Sequence, residues 1–327
     1  MKRSLFVLAV LLVLSVLFCG CSSSPKRAML VTDVSDSASV IYENANAELI
    51  GGNIQNAGAH LQQAYNLALS VDDTDLLCRI SLSAIIYRLT NSDEGMSASE
   101  LNPVLQLAKK TDSDEDFDVS DTPFYGLSAQ DLLEMAKKYA SRSTKKEVLG
   151  AVCPIYDLKI QLAKKNPLIN FNEKLNELNA SEKKLSSEAY YLAFLKRTQG
   201  DLYAFNKDYN RATDAYLEAA KIHLKNRYVS EIGLDYYSAS RMASLSNNKN
   251  LAVEYIQTAL KYDRDAENTS AIASDYNAYG LILLKGTPSD SDKKLARDLI
   301  SWASDIYRAG GFEKEARACR MRAESIK

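Results

Sequence analysis

The chain has 327 residues with 40 basic and 42 acidic side chains, so its formal net charge at neutral pH is −2. This balance excludes the strongly basic footprint of a nucleic-acid-binding protein and argues against adhesion to an anionic membrane through charge alone. Only 13 glycines and 6 prolines occur, which is few for a large all-β fold with its many turns and favours an all-α chain.

The N-terminus carries the pattern of a secretory signal. Lys2 and Arg3 precede an apolar run over residues 5–18, and Gly20 and Cys21 follow it. An apolar run of about 14 residues is too short for a membrane-spanning helix, which needs roughly 20, and fits the core of a signal peptide. Removal of the signal leaves 38 basic and 42 acidic residues and a net charge of −4.

The Gly20-Cys21 pair resembles the cleavage site of bacterial lipoproteins, in which a small residue precedes a cysteine that receives lipid and becomes the new N-terminus. The resemblance implies a signal peptide at residues 1–20, lipidation of Cys21 and a tether at residues 21–36. Several acyl chains would hold such a protein firmly at a membrane of the bacterial cell envelope, facing the periplasm or the exterior. An uncleaved membrane anchor and an ordinary secreted protein are the alternative interpretations.

Helix-like segments fill the predicted repeat domain, residues 37–327, which is degenerate over 73–180 and most regular over 184–308. In the regular part, Gly200 is followed by a second helix in which small and large residues alternate at helical spacing: Ala212, Tyr216 and Ala219. Small residues let two antiparallel helices approach closely, and the large residues fill the gap beside them. This arrangement resembles the tetratricopeptide repeat (TPR), with its Gly-x2-Tyr and Ala-x3-Phe positions.

The same second-helix pattern recurs three times, and Gly280 precedes its last occurrence. The alanines of these repeats are Ala57 and Ala64, Ala252 and Ala259, and Ala296 and Ala303. The spacing between repeats departs from the TPR family, whose repeat is roughly 34 residues. Ala212 and Ala252 are 40 residues apart, and Ala252 and Ala296 are 44 residues apart. We therefore expect longer helices or longer turns than in the family.

The centre of the chain has apolar residues at helical spacing but lacks the Gly and Ala signature. Ser128 and Asp131 are placed to form a capping box at the start of a helix. Residues 166–179 look like an irregular connection. The expected central helix pairs are residues 75–89 with 97–110, and residues 128–140 with 145–165.

Together these segments predict an all-α, TPR-like α-solenoid of about six antiparallel helix pairs with a C-terminal capping helix. Each pair in such an array contacts its neighbours, and the array curves around a concave groove.

Few residues suit catalysis. His60 and His223 are the only histidines, and both are interpreted as packing or surface residues of second helices. The acidic run at residues 112–118 resembles a calcium-binding EF-hand loop but lacks its Gly and Glu positions. The cysteines beyond the signal show no metal-binding spacing: Cys78, Cys153 and Cys319. We therefore expect no catalytic residue, no metal site and no cofactor, and a protein that is not an enzyme.

The resemblance to TPR proteins implies that the first helix of each pair lines the groove. The candidate partner-binding residues are Tyr42, Asn46, Arg197, Asp201, Tyr237, Arg241 and Asn277. The leading hypothesis is a membrane-tethered scaffold that binds a protein or peptide partner outside the cytoplasm. The alternative is a ligand-handling accessory lipoprotein, similar to the treponemal TPR lipoproteins associated with TRAP-type transporters. A scaffold predicts an open groove, whereas an accessory protein predicts a deep pocket.

Overall fold

Thirteen α-helices and no strand make up the residues that the structure, a computed structural model, describes: 29–91, 126–164 and 168–326. The predicted signal peptide with Cys21, the segment 97–110 and the acidic run 112–118 lie outside the described residues. The helices are α1 Met29–Gly51, α2 Ile54–Ser70, α3 Thr74–Asn91, α4 Ala129–Arg142, α5 Lys146–Ala163, α6 Phe171–Lys184, α7 Ala189–Phe205, α8 Tyr209–Asn226, α9 Val229–Leu245, α10 Lys249–Asp265, α11 Thr269–Leu283, α12 Asp290–Ala309 and α13 Glu313–Ser325.

These helices form six consecutive pairs, α1–α2 to α11–α12, and α13 packs on α12 at the C-terminal end. Cys319 and two alanines of α13 are buried in the last apolar cluster, together with residues of α11 and α12. The predicted α-solenoid of six pairs with a capping helix is therefore confirmed.

Sharp turns of constant length join the regular helices. A residue in the left-handed backbone region, with φ between 54° and 63°, occurs in each of four successive turns: Lys207, Arg227, Asn247 and Glu267. The next residue donates its N–H to the carbonyl five positions back, as Asn248 does to Ala243 at 2.8 Å. These turn residues are 20 positions apart, so one helix pair takes 40 residues. Helices of 17 or 18 residues therefore account for the 40-residue spacing, and a longer connection between α11 and α12 accounts for the 44-residue spacing.

The small residues of the repeat pattern lie at the predicted close contacts between helices. An added Cβ at Gly200 would lie 2.7 Å from the ring of Tyr216, and one at Gly280 would lie 2.6 Å from Ile300. Both glycines therefore let a large side chain of the second helix touch the backbone of the first. The alanines of the pattern are all fully buried: Ala57, Ala64, Ala212, Ala219, Ala252, Ala259, Ala296 and Ala303.

The central pairing differs from the prediction. Helix α3 packs against α4, which begins after residue 128, and its predicted partner, the segment 97–110, lies outside the described residues. Asp75 at the start of α3 accepts hydrogen bonds from Ser143 and Thr144 after α4, at 2.5 and 2.8 Å. The prediction assumed a short loop within each pair, whereas here the whole of 92–128 separates the two partners.

This pairing also assigns a different partner to the following helix. Helix α5 is the first helix of a new pair, and its partner α6 occupies much of the stretch that the sequence indicated as irregular. Helix α6 buries only Leu178 and Ser181, so its apolar pattern is weak. The capping box of Ser128 and Asp131 is confirmed, with the Asp131 N–H 3.1 Å from the Ser128 hydroxyl.

Helix α1 begins at Met29, inside the predicted tether of residues 21–36. Ser35, in this stretch, is buried and donates a hydrogen bond to Asp73 before α3. The folded part of the protein therefore begins within the predicted tether. Among the helices that the structure describes, none combines the length and apolar character needed to span a bilayer.

The solenoid curves until its first pair meets its sixth. The side-chain amide of Asn268, just before α11, donates to the carbonyl of Ile50 near the end of α1 at 3.1 Å. The hydroxyl of Ser270 lies 3.5 Å from the carbonyl of Gly51. The first helices of all six pairs therefore surround a central space.

Candidate functional site

The central space is a cavity of about 410 Å³. The first helix of every pair contributes to its wall, as do Asp263 at the end of α10 and Asn268 in the turn that follows. Leu234 in the wall is 47% exposed, so the cavity is open to solvent at this side. Its volume lies within the range of roughly 300–1,000 Å³ that small-molecule sites occupy.

One part of the wall is apolar and aromatic. Tyr156 of α5 and Phe194 of α7 contact each other with ring centroids 5.1 Å apart. Tyr190 of α7 lies edge-on to Tyr228, with ring centroids 5.7 Å apart. Such rings present an apolar face, and the tyrosines add a polar tip, a combination common where a binding surface is half wet.

A buried ion network forms another part of the wall. Arg197 of α7 donates to the carboxylate of Asp235 at 2.6 Å and to that of Glu231 at 2.7 Å, both on α9. A third bond, of 3.1 Å, reaches the carbonyl of Glu231. His223 of α8 lies 2.6 Å from the other oxygen of Asp235. Since all four side chains are buried, the network fixes two neighbouring first helices relative to each other.

The charges of this network compensate one another. Burial opposes ionisation of Glu231, but the adjacent Arg197 guanidinium outweighs it and lowers the pKa of that carboxyl. Lys159 of α5, a second cation in the wall, is likewise paired, with its ammonium 2.5 Å from the carboxylate of Asp201.

A second acidic group lies in the wall beside α9, where Asp263 of α10 and Asp275 of α11 face each other. Asp263 is 2% exposed and Asp275 is 1% exposed. Burial raises the pKa of both carboxyls, and the neighbouring Asp263 carboxyl raises that of Asp275 further. Within the part of the chain that the structure describes, no N–H or hydroxyl group donates a hydrogen bond to either oxygen of Asp275, whose close polar neighbour is Asp263.

The predicted groove residues fall into two groups. Asn46, Arg197 and Tyr237 line the cavity. The other four lie away from its lining. Tyr42 is buried behind the wall and forms a hydrogen bond with Ser83, and Asp201 binds the ammonium of Lys159 and the hydroxyl of Tyr216. Arg241 is exposed and stacks over Tyr237, and Asn277 accepts a hydrogen bond from Arg322.

Four acidic residues of the site were not predicted from the sequence: Glu231, Asp235, Asp263 and Asp275. A signal for three of them exists, because each aspartate stands at helical spacing from a buried alanine. Asp235 is four residues before Ala239, Asp263 is four residues after Ala259, and Asp275 is three residues before Ala278. An acidic residue on the buried face of a helix indicates a paired or functional carboxyl.

The histidine and cysteine residues that the sequence offered as candidates for chemistry, other than His223, lie outside the cavity lining and the network around it. Among the described residues, no three His, Cys, Asp or Glu side chains cluster as ligands of a metal ion would. His60 pairs with Glu48 at 2.8 Å, away from the cavity lining. The described cysteines Cys78, Cys153 and Cys319 are buried and form no disulfide.

The described helices define a TPR-like helical solenoid. The chain is similar to the apo form of RapI, with a TM-score of 0.54, 13% identity, and coverage of 90% of this chain and 71% of that chain. A likeness at this identity concerns the fold alone. The chain also matches aspartyl phosphate phosphatase F from Bacillus subtilis, with a TM-score of 0.48, 10% identity, and coverage of 91% and 72%.

A third similar structure is a signal transduction ATPase with numerous domains from Pyrococcus horikoshii, which carries a tetratricopeptide repeat sensor. Its TM-score is 0.46 at 13% identity, and the match covers 90% of this chain and 43% of that chain. No family model and no curated protein matches the sequence.

Proposed function

We propose that the protein is a binding scaffold that holds a short segment of a protein or peptide partner in its central cavity, without chemistry of its own. The observation that carries this proposal is the convergence of all six first helices on one cavity. A partner segment in the cavity would touch every repeat at once, so binding would stabilise the whole solenoid.

Site-specific photo-cross-linking tests this proposal. We expect p-benzoylphenylalanine in place of Leu234, which lines the cavity, to capture a partner protein in intact cells. The same replacement of Leu295, an equally apolar and 40% exposed residue on the second helix α12, is the matched control. Equal capture at both positions, or none at Leu234, contradicts binding of a protein in the cavity.

A second candidate function is the handling of a small ligand, as in an accessory protein of a transporter. The cavity volume of about 410 Å³ favours it, because this space is the size of a small-molecule site. Native mass spectrometry of the purified full chain separates the two candidates. A retained small molecule together with no cross-linked protein would favour the small-ligand function over the scaffold.

The proposed working place is a membrane of the bacterial cell envelope, on the side of the periplasm or exterior, with Cys21 carrying the lipid. Support comes from the sequence pattern that ends at Gly20-Cys21. We expect Cys21→Ala to abolish incorporation of labelled fatty acid and to move the protein out of the membrane fraction. Cys319→Ala, which removes a buried thiol of α13, is the control. Unchanged labelling of Cys21→Ala would refute the anchor.

A further inference from the structure

The carboxyl group of Asp275 lacks the N–H or hydroxyl donors that normally accompany a buried carboxyl. Its side chain is 1% exposed and lines the cavity, and among the described residues no N–H or hydroxyl group donates to either of its oxygens, whose close polar neighbour is the carboxyl of Asp263. Burial of a polar group without such partners costs a few kcal/mol, and buried polar groups in proteins are nearly always paired. A group with hydrogen-bond donors that enters the cavity would satisfy it.

The position of the second carboxyl is fixed by a glycine. An added Cβ at Gly233 of α9 would lie 2.1 Å from one carboxyl oxygen of Asp263 and 2.4 Å from the other. Only a residue without a side chain at position 233 therefore lets Asp263 reach the cavity wall beside Asp275. The sequence thus brings two acidic groups together at one place, although two adjacent carboxylates repel each other.

The cations of the wall do not neutralise this pair. Among the described lining residues, Lys159 and Arg197 are the positively charged ones. Lys159 binds Asp201, and Arg197 binds the two acidic residues of α9. Because the pKa of Asp275 is raised to about 10 and that of Asp263 to about 6, the pair holds one proton and one negative charge near neutral pH, and this charge is left for a group that comes from outside.

We propose that Asp263 and Asp275 bind a cationic group, a primary ammonium or a guanidinium, of the ligand that the cavity holds. The inference rests on the proposed function and names the chemistry of the partner: a lysine or arginine side chain with apolar residues beside it. Binding of the cation would release the proton that the pair holds, and the cation would then donate charge-assisted hydrogen bonds to both carboxylates. The neighbouring apolar residues would contact Tyr156, Phe194 and Leu234 in the same cavity.

Calorimetric titration of the full chain in mild detergent near neutral pH tests the proposal. The probes are the peptide acetyl-Phe-Lys-Phe-amide, its analogue with norleucine in place of lysine, the small amine phenethylamine and its uncharged counterpart phenylethanol. We expect the lysine peptide to bind about 10- to 100-fold more tightly than the norleucine peptide, as hydrogen bonds to charged groups require. We expect Asp275→Asn and Asp263→Asn each to remove most of this difference.

Asp265→Asn, which changes an exposed aspartate on the same helix as Asp263, is the matched control and should keep the full preference. Far-UV circular dichroism verifies that each variant is folded. If the two peptides bind equally well, or if Asp275→Asn keeps the preference for lysine, the cation site is refuted while the peptide scaffold stands.

The amine probes show whether the cation belongs to a peptide or to a small molecule. Binding of phenethylamine but of neither peptide, with loss in Asp275→Asn, supports the cation site and overturns the peptide scaffold in favour of a small ligand. Absence of binding by all four probes overturns the cation site.

Discussion

Arg197 is a buried cation enclosed by two acidic side chains of the neighbouring first helix. Its guanidinium lies 2.6 Å from Asp235 and 2.7 Å from Glu231, and it is 7% exposed. A buried charge keeps its place only if it is paired, because the loss of water costs several kcal/mol per ion. The network therefore acts first as a structural lock between α7 and α9 and gives the cavity a rigid wall.

We expect Arg197→Met to destabilise the protein by about 3–5 kcal/mol at neutral pH, because two acidic side chains lose their buried counterion. The pKa of Glu231 is lowered in the folded state, so its stabilising contribution is present above the ordinary glutamate pKa of about 4.3 and is lost as the pH falls below it. The deficit of the variant should therefore shrink as the pH falls from about 4.3 through the lowered pKa of Glu231, where this carboxyl becomes neutral in the native protein.

Thermal unfolding over this pH range provides the measurement for Arg197→Met. Arg241→Met, which removes an exposed arginine that stacks on Tyr237, should change stability by less than about 1 kcal/mol. A loss in Arg197→Met that is as small as in Arg241→Met would contradict the structural role of the network.

At the scale of the helices, close approach at glycine sets the geometry of each pair. Tyr216 lies against the backbone of α7 at Gly200, and its hydroxyl is held by Asp201 at 2.7 Å. The tyrosine is 3% exposed and has little room to move. A methyl group at position 200 would therefore push the two helices of the pair apart.

We expect Gly200→Ala to destabilise the protein by about 1–3 kcal/mol, as insertion of a methyl group into a close-packed contact does. Gly150→Ala on α5, where an added Cβ meets no atom within 4 Å, should instead stabilise it by about 0.5–1 kcal/mol through helix propensity. Urea unfolding of both variants measures whether their changes in the free energy of unfolding have opposite signs. A stabilised Gly200→Ala variant would show that the pair is not closely packed there.

At the scale of the whole molecule, the contact between α1 and α11 closes the solenoid around the cavity. An added Cβ at Gly52, just after α1, would lie 3.5 Å from the Cβ of Ser270. This separation is within the range of disulfide-bonded cysteines, about 3.5–4.5 Å. The two ends of the solenoid can therefore be joined chemically only if the ring is closed in solution.

We expect the double variant Gly52→Cys with Ser270→Cys to form this disulfide under mild oxidation. Non-reducing gel electrophoresis should show a faster-migrating band that disappears on reduction. Each single variant should keep the mobility of the native chain, because the described native cysteines are buried. An uncross-linked double variant would indicate that the solenoid is open in solution.

The parts of the fold that could be predicted are those encoded within one helix pair. The spacing of Gly200, Ala212 and Tyr216 predicts a close antiparallel contact, because each position depends only on the 3.6-residue period. The pairing of α3 with α4 could not be predicted in this way, because a long stretch of sequence separates the two helices. Closure of the ring depends on small rotations summed over six pairs, and no local motif reports them.

The candidate site was predicted only in part for the same reason. Mapping by helix position identifies Asn46, Arg197 and Tyr237, which line the cavity. It says nothing of burial, so it does not distinguish the exposed Arg241 from the enclosed Arg197. The acidic pair of Asp263 and Asp275 was missed because the mapping considers only positions close to the Gly-type site of each first helix, whereas Asp263 lies on the second helix α10 and Asp275 lies five residues before Gly280.

The contact of Asn268 with Ile50 also restricts how this protein can change over evolutionary time. An open array of helix pairs gains or loses units freely, because each unit contacts only the next one. In the closed ring, α11, the first helix of the sixth pair, must lie beside α1. Duplication of one 40-residue unit would carry α11 past this point, and deletion of one would leave a gap. Homologues that bind in the same way should therefore vary in loop length while they keep six pairs, a number set by the circumference of the ring.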